Sequence, residues 1–188
     1  DEAEDAMLKL KPRKTIDDFM KLPEGTLAEL IDGEIFVMEP SPRYGHQEVS
    51  ANLFVAIRTY AAAKGVGKAI AAPMDVHLPS GDVVEPDLVF VSTERIGIIK
   101  DWIRGVPDLL VEIISPEGAA RDRIVKRDLY ARNGVPEYWI VEPRTRTIEV
   151  YRLAGGAYPA PAVFEPGDAV STPLLPGLAL PVSALFGT

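Results

Sequence analysis

The sequence predicts an α/β (α+β) chain in which a mixed β-sheet is flanked by helices. Three observations carry that expectation. Leu88-Val-Phe-Val91 and Leu109-Leu-Val-Glu-Ile-Ile114 are short, almost unbroken apolar runs, the pattern of strands covered on both faces. Two segments, Pro42 to Lys64 and Ala119 to Asn133, switch to a helical period. Gly, Pro and Asp clusters interleave strand and helix instead of segregating them, which suits a sheet with helices on its faces.

Taken in order, residues 1–14 read as a polar, flexible leader ahead of one domain, 15–188, and Met7 is a candidate start of the native chain. Thr15 followed by Asp17 and Asp18 has the form of an N-cap with acids in the first turn, opening a short helix to about Lys21. Asp32-Gly33 lies between two apolar runs within 26–38. Both positions tolerate positive φ, as a two-residue hairpin turn requires. Val49, Leu53, Ala56, Ile57 and Tyr60 recur at helical spacing before a stop at Gly65. Strands are expected near 67–72 and 74–78, over Val83–Val91 after the Ser80-Gly81 turn, and over Asp108–Ile114. Ala119–Asn133 reads as a helix ended by Gly134, and 137–141 with 147–152 as a hairpin. From Ala154 to 188 Pro and Gly dominate, as in an extended C-terminal wrap with one or two edge strands. The apolar run Leu174–Phe186 within it either serves a dimer interface or seals its own core.

Composition excludes several classes of function. With no cysteine there is no disulfide, thiolate metal site or cysteine nucleophile, and two histidines are too few for a zinc site built mainly from imidazole. No apolar run reaches the length of a membrane span, and the acidic N-terminus is unlike a secretory signal, so a cytoplasmic location is expected. The net charge of −8 opposes a nucleic-acid partner, whose phosphates call for a basic footprint. Part of that acidity sits in Asp1, Glu2, Glu4 and Asp5, however. Arg121, Arg123, Lys126, Arg127 and Arg132 form a local basic segment.

Chemistry concentrates where carboxylates interrupt apolar runs. Glu112 breaks Leu-Leu-Val-Glu-Ile-Ile, and Asp87 immediately precedes Leu-Val-Phe-Val. Burying an unpaired carboxylate costs several kcal/mol, on the order of 2–7 for a polar group and more for a charge, so such residues find a partner or a metal. Either the two acids converge on a hard cation such as Mg²⁺, or they point to solvent at the strand ends. Asp108 is explained as a residue of the turn opening its strand. Asp122, Lys126 and Tyr130, spaced i, i+4, i+8, form a polar stripe on the following helix, with Ile124, Val125 and Leu129 available to pack on the sheet. The stripe is either a solvated face or brings Lys126 back over the end of the Glu112 strand.

Glu-Pro-Asp-Leu-Val-Phe-Val (85–91), Pro-Asp-Leu-Leu-Val-Glu-Ile-Ile-Ser-Pro (107–116), Arg-Asp-Arg with Lys126 and Tyr130, and Gly-Val-Pro-Glu-Tyr-Trp-Ile-Val-Glu-Pro (134–143) resemble the Uma-type endonuclease family. Glu-Leu-Ile-Asp-Gly-Glu (29–34) and Ser-Pro…His (41–46) are similar to its N-terminal half. The family was long described as a domain of unknown function and is assigned to the PD-(D/E)xK nuclease superfamily.

The resemblance implies a restriction-endonuclease-like core and hydrolysis of DNA phosphodiester bonds with Mg²⁺ or Mn²⁺. It makes Asp87 and Glu112 the acidic pair, with the Ile113 carbonyl as an additional metal ligand. Ile114 stands where the motif's lysine is usually found, and the resemblance moves that role to Lys126. It gives Glu29 a metal-binding place, direct or through water, and His46, Asp122 and Tyr130 supporting or substrate-contacting places; Gln47, beside His46, shares that surface. From residues alone, His46 is a first-turn residue or a satisfied histidine. One departure is Ala28, where relatives carry a bulky residue. Double-strand cleavage needs two sites, so a homodimer is expected. The negative charge and the displaced lysine keep two alternatives open: a nucleic-acid-binding module with weak catalysis on the same fold, or a hydrolase of another phosphate ester.

Overall fold

A computed structural model describes residues 12–38 and 42–187. Residues 1–11 of the expected leader, Met7 included, lie outside the described residues. Of the remaining leader residues, Arg13 and Lys14 lie on the first hairpin. The Arg13 guanidinium donates to the Asp32 carbonyl at 3.0 and 3.1 Å, and the Lys14 amide donates to the Gly33 carbonyl at 2.8 Å.

Helix α1 (Ile16–Met20) opens on a capping box, in which Thr15 and Asp18 satisfy each other's backbone amides. Strands β1 (Ala28–Ile31) and β2 (Glu34–Val37) follow, joined by Asp32 and Gly33 with φ of 52° and 81°, as the Asp-Gly pair predicts. Helix α2 (Tyr44–Lys64) ends at Gly65 in the left-handed region. The chain continues through β3 (Gly67–Ala71), β4 (Val76–His77), β5 (Val83–Val84), β6 (Leu88–Ser92), a 3₁₀ turn (Thr93–Ile98), β7 (Ile103–Arg104) and β8 (Leu109–Ile113). A π-helical turn (Arg121–Lys126) runs into α3 (Arg127–Arg132), followed by β9 (Glu137–Glu142) and β10 (Thr147–Arg152). Three short strands, β11 (Ala162–Phe164), β12 (Ala169–Val170) and β13 (Leu180–Pro181), finish the chain.

The strands make a six-stranded sheet in the order β11-β10-β9-β8-β6-β3 and a five-stranded sheet in the order β2-β1-β5-β4-β7. Both are mixed: β8–β9 and β4–β7 are parallel, and the other pairs antiparallel. β6 and β8 lie inside the larger sheet, where side chains alternate between two cores. Leu88, Phe90, Leu109, Val111, Ile113, Trp139 and Val141 face α2 and the C-terminal wrap. Val89, Val91, Leu110, Ile114, Tyr138 and Ile140 face α3 and the smaller sheet. With both faces covered, these strands read as continuous apolar runs. Glu112, between Val111 and Ile113, belongs by period two to the α3 face.

The structure corrects one expectation and decides two that the sequence left open. Val83–Val91 is not one strand: it divides at Glu85-Pro86-Asp87 into β5 and β6, which belong to different sheets. Pro86 has no amide for a ladder, and its neighbours make side-chain bonds instead: the Glu85 amide donates to Glu29 and the Asp87 carboxylate accepts from Ile113. In the helix of 119–133, of the two readings of the polar stripe, the one that brings Lys126 back over the Glu112 strand holds, and Ile124 and Val125 do not pack on the sheet. Ile124 and Val125 are exposed, while Asp122, Lys126 and Tyr130 are buried, because the sheet offers this helix carboxylates to pair with instead of an apolar surface alone. Finally, of the two readings of Leu174–Phe186, the one in which it seals the chain's own core holds. Leu175, Leu178, Leu180, Val182, Leu185 and Phe186 join the core against α2, and the Leu185 carbonyl accepts from Asn52 at 3.1 Å.

Candidate active site

The two sheets meet where the chain crosses between them, and five carboxylates gather there. β1 supplies Glu29, the crossing segment Glu85 and Asp87, β8 Glu112, and the π-turn Asp122. The antiparallel register Leu88↔Val111 places Asp87 opposite Glu112 one step beyond the β6 ladder. Asp87 Oδ2 accepts from the Ile113 amide at 2.7 Å, tying the carboxylate to the main chain beside Glu112.

Lys126 is the ammonium at the centre of this group. Its Nζ lies 2.7 Å from Glu29 Oε1, 2.9 Å from Glu112 Oε1 and 3.6 Å from Asp122 Oδ1. The Tyr130 hydroxyl donates to the same Glu112 oxygen at 2.8 Å, and Glu29 Oε1 also accepts from the Glu85 amide at 3.0 Å. Lys126 and Glu112 are only 4% and 5% exposed, whereas Asp87 and His46 are 19% and 17% exposed. The latter pair therefore marks the mouth. His46 Nε2 approaches Asp87 Oδ1 at 3.2 Å, and its Nδ1 is buried without a partner among the described residues. An exposed ion pair, Arg43 with Glu117 at 3.6 Å, joins the start of α2 to the loop after β8.

One ammonium does not balance five carboxylates, and the proton affinities respond accordingly. Burial drives the Glu112 carboxyl well above its usual range, opposed by Lys126 and reinforced by Asp122 and Asp87. Burial, together with the charges of Asp75 and Glu29, pushes Glu85 up to about 7. Asp122 rises to about 6, again through burial, against the pull of Lys126. Burial would lower Lys126, but Glu112, Glu29 and Asp122 hold it well above its ordinary value. Burial likewise disfavours charged His46, yet the hydrogen bond and charge of Asp87 leave it raised. Tyr130 is held in its phenol form by burial and by Glu112 and Glu29.

The structure therefore gathers Asp87, Glu112, Lys126, Glu29, Asp122 and Tyr130 in one cluster, with His46 on Asp87. Ile113 presents its amide to Asp87. Gln47 is exposed on α2. Sequence reasoning missed Glu85, whose signal was a second acid beside Pro86 in an otherwise apolar stretch. It also missed Tyr138, which looks like an ordinary core aromatic but donates from its hydroxyl to the Asp122 carbonyl at 3.0 Å.

Comparison with known proteins is consistent with this fold. A family profile described as "Uma2: Putative restriction endonuclease" matches residues 16–183. A crystal structure of a "putative nuclease belonging to DUF820" from Anabaena variabilis superposes with a TM-score of 0.77 at 24% identity, covering 92% of this chain and 97% of that one. The type IIG restriction endonuclease BpuSI aligns with a TM-score of 0.37 at 14% identity, over 64% of this chain and 13% of its own. No curated protein matches the chain.

Proposed function

The chain belongs to the Uma2 family of putative restriction endonucleases, and from that membership we propose that it is a metal-dependent DNA endonuclease whose site is the Asp87–Glu112–Lys126–Glu29 cluster. The observation that carries this reading is the charge imbalance: five carboxylates, three of them pushed towards holding protons, gather around one buried ammonium that pairs with Glu29, Glu112 and Asp122. A divalent cation would replace those protons.

The fit to such a cation rests on donor chemistry. Among the described residues, no three acidic or imidazole side chains stand ready as metal ligands, and Lys126 lies between Glu29 and Glu112. The donors are nevertheless all hard oxygens, which suits Mg²⁺ or Mn²⁺. Asp87, Glu112 and the Ile113 carbonyl would hold it, with Glu29 binding directly or through water. When bound, the cation supplies positive charge at the scissile phosphate and makes an attacking water more acidic.

The remaining work falls to the chain's own side chains. Lys126, carried on the helix after β8 and not two places beyond the acid, meets the phosphate as negative charge builds on it. Asp122 keeps the ammonium charged and aimed, and Tyr130 holds one oxygen of Glu112 so that the carboxylate cannot rotate. His46 orients Asp87 from the more exposed side, where substrate arrives, and Gln47 lies beside it for contact. Cleavage leaves a 5′-phosphate and a 3′-hydroxyl. Two such sites in a homodimer would cut both strands of a duplex.

The test is nicking or linearisation of supercoiled plasmid by the purified chain with Mg²⁺ or Mn²⁺, beside Lys126→Ala and Asp87→Ala. Cleavage that requires the metal and vanishes in both variants is expected. Undiminished cleavage by either variant overturns the assignment. No cleavage with any metal by the folded chain, together with retained DNA binding, moves the reading to a binding module on this fold.

A further inference from the structure

We infer that Tyr138 is a positioning residue: its hydroxyl holds the π-turn Arg121–Lys126 in the register that puts Asp122, Lys126 and Tyr130 on one face. The catalytic consequence rests on the proposed role of Lys126, but the positioning itself does not.

Helix geometry supplies the argument. In an α-helix each residue turns about 100°, so residues i and i+8 diverge by roughly 80° around the axis. A π-turn takes roughly 4.4 residues, about 82° each, so four residues fall roughly 30° short of a full turn. Asp122 to Lys126 lies within the π-turn, and the step from Lys126 to Tyr130 runs into α3. The shortfall of the first step nearly cancels the roughly 40° excess of the second. Asp122 and Tyr130 thus share a face that a regular helix would divide. The contacts agree: Lys126 Nζ is 3.6 Å from Asp122 Oδ1, and Lys126 and Tyr130 both reach Glu112 Oε1, at 2.9 and 2.8 Å. Ile124 and Val125 are correspondingly turned outward.

A π-turn is rare because it gives up regular α hydrogen bonding, so something must hold it. Tyr138, completely buried on β9, pairs with Leu110 on β8, two residues before Glu112 and on the same face. Its ring meets Tyr130 edge-on, with centroids 4.9 Å apart at 85°, and its hydroxyl donates to the carbonyl of Asp122 inside the π-turn at 3.0 Å. Phenylalanine would fill the same volume and keep the aromatic contact. The hydroxyl is what ties the turn to β9, the strand beside the one that carries Glu112.

The test compares Tyr138→Phe with the unmodified protein by the acetylation rate of Lys126, read by mass spectrometry in chelator-containing buffer against exposed Lys100. The expected result is a rise of about tenfold for Lys126 alone, the effect of losing one buried hydrogen bond. Tyr151→Phe, which removes a hydroxyl bonded to Glu149 in the same aromatic cluster, should leave the rate unchanged. An unchanged Lys126 rate in Tyr138→Phe, or an equal rise in Tyr151→Phe, overturns the inference. If Tyr138→Phe does not fold, the unmodified protein still decides: a slowly exchanging Tyr138 hydroxyl proton in its NMR spectrum supports the bond, and its absence overturns it. Where plasmid cleavage is observed, kcat should fall in Tyr138→Phe with KM unchanged. Unmasked Lys126 in a protein that never cleaves DNA leaves this inference standing and removes the nuclease reading instead.

Discussion

Replacing Lys126 with methionine keeps the length and apolar stem of the side chain and removes the ammonium. Glu29, Glu112 and Asp122 are then left facing one another in a buried site. Exchanging a whole buried ion pair for apolar groups can be neutral, but removing one partner costs about 3–5 kcal/mol because the other charges stay buried. For a chain of this size, about 2–4 °C of melting temperature per kcal/mol gives an expected loss of about 6–20 °C at pH 8. The loss depends on pH. Glu85, at about 7, and Asp122, at about 6, already lie above their ordinary values of 4.5 and 3.8 with the lysine in place. A carboxyl whose folded pKa exceeds its unfolded one binds more protons in the folded state, so stability falls as pH rises between the two values. Without Lys126 this site protonates further. The variant should therefore melt closest to the unmodified protein near pH 5 and furthest below it at pH 8. The assay is thermal unfolding by circular dichroism in chelator-containing buffer at both pH values. Equal melting temperatures at pH 8, or a gap that does not widen from pH 5 to 8, would refute the reasoning.

Two further predictions follow from local geometry. Glu85→Gln removes a carboxyl that ionises reluctantly, raised from 4.5 to about 7, so the variant should melt above the unmodified protein at pH 8, with the gap shrinking towards pH 5. A lower melting temperature at pH 8 would show that the carboxylate stabilises the crossing segment. Gly33→Ala places a Cβ 2.6 Å from the Arg13 Cβ at a φ of 81°, and should cost about 1–2 kcal/mol, read as a lower urea midpoint with an unchanged slope.

Several elements were legible because their causes are local. The Thr15 N-cap with acids in the first turn, the Asp32-Gly33 turn and the stop of α2 at Gly65 depend on residues within a few positions of one another, and the structure has all three. The strands β6 and β8 were legible because a strand covered on both faces leaves an apolar run. The acids that interrupt or adjoin those runs, Asp87 and Glu112, are the two that the register places opposite each other. Glu85 was less visible, because what sets it apart, burial beside Asp75 and Glu29, arises only when the chain folds.

The orientation of the helix after β8 was left open between two readings by its own residues. Its Ile124–Val125 pair and its Asp122–Lys126–Tyr130 stripe offer opposite faces of similar size, and periodicity cannot choose between them. The choice was made by Glu29 and Glu112, carried on two different sheets, and by a π-turn that no residue spacing announces. By itself, then, the sequence determined the strands, the long helix and the types of side chain available for chemistry, because burial and turn geometry act through near neighbours. Tertiary structure alone decided that the strand at Glu85-Pro86-Asp87 would change sheets and that Lys126 would turn inward, because only folding brings its carboxylate partners within ion-pairing distance.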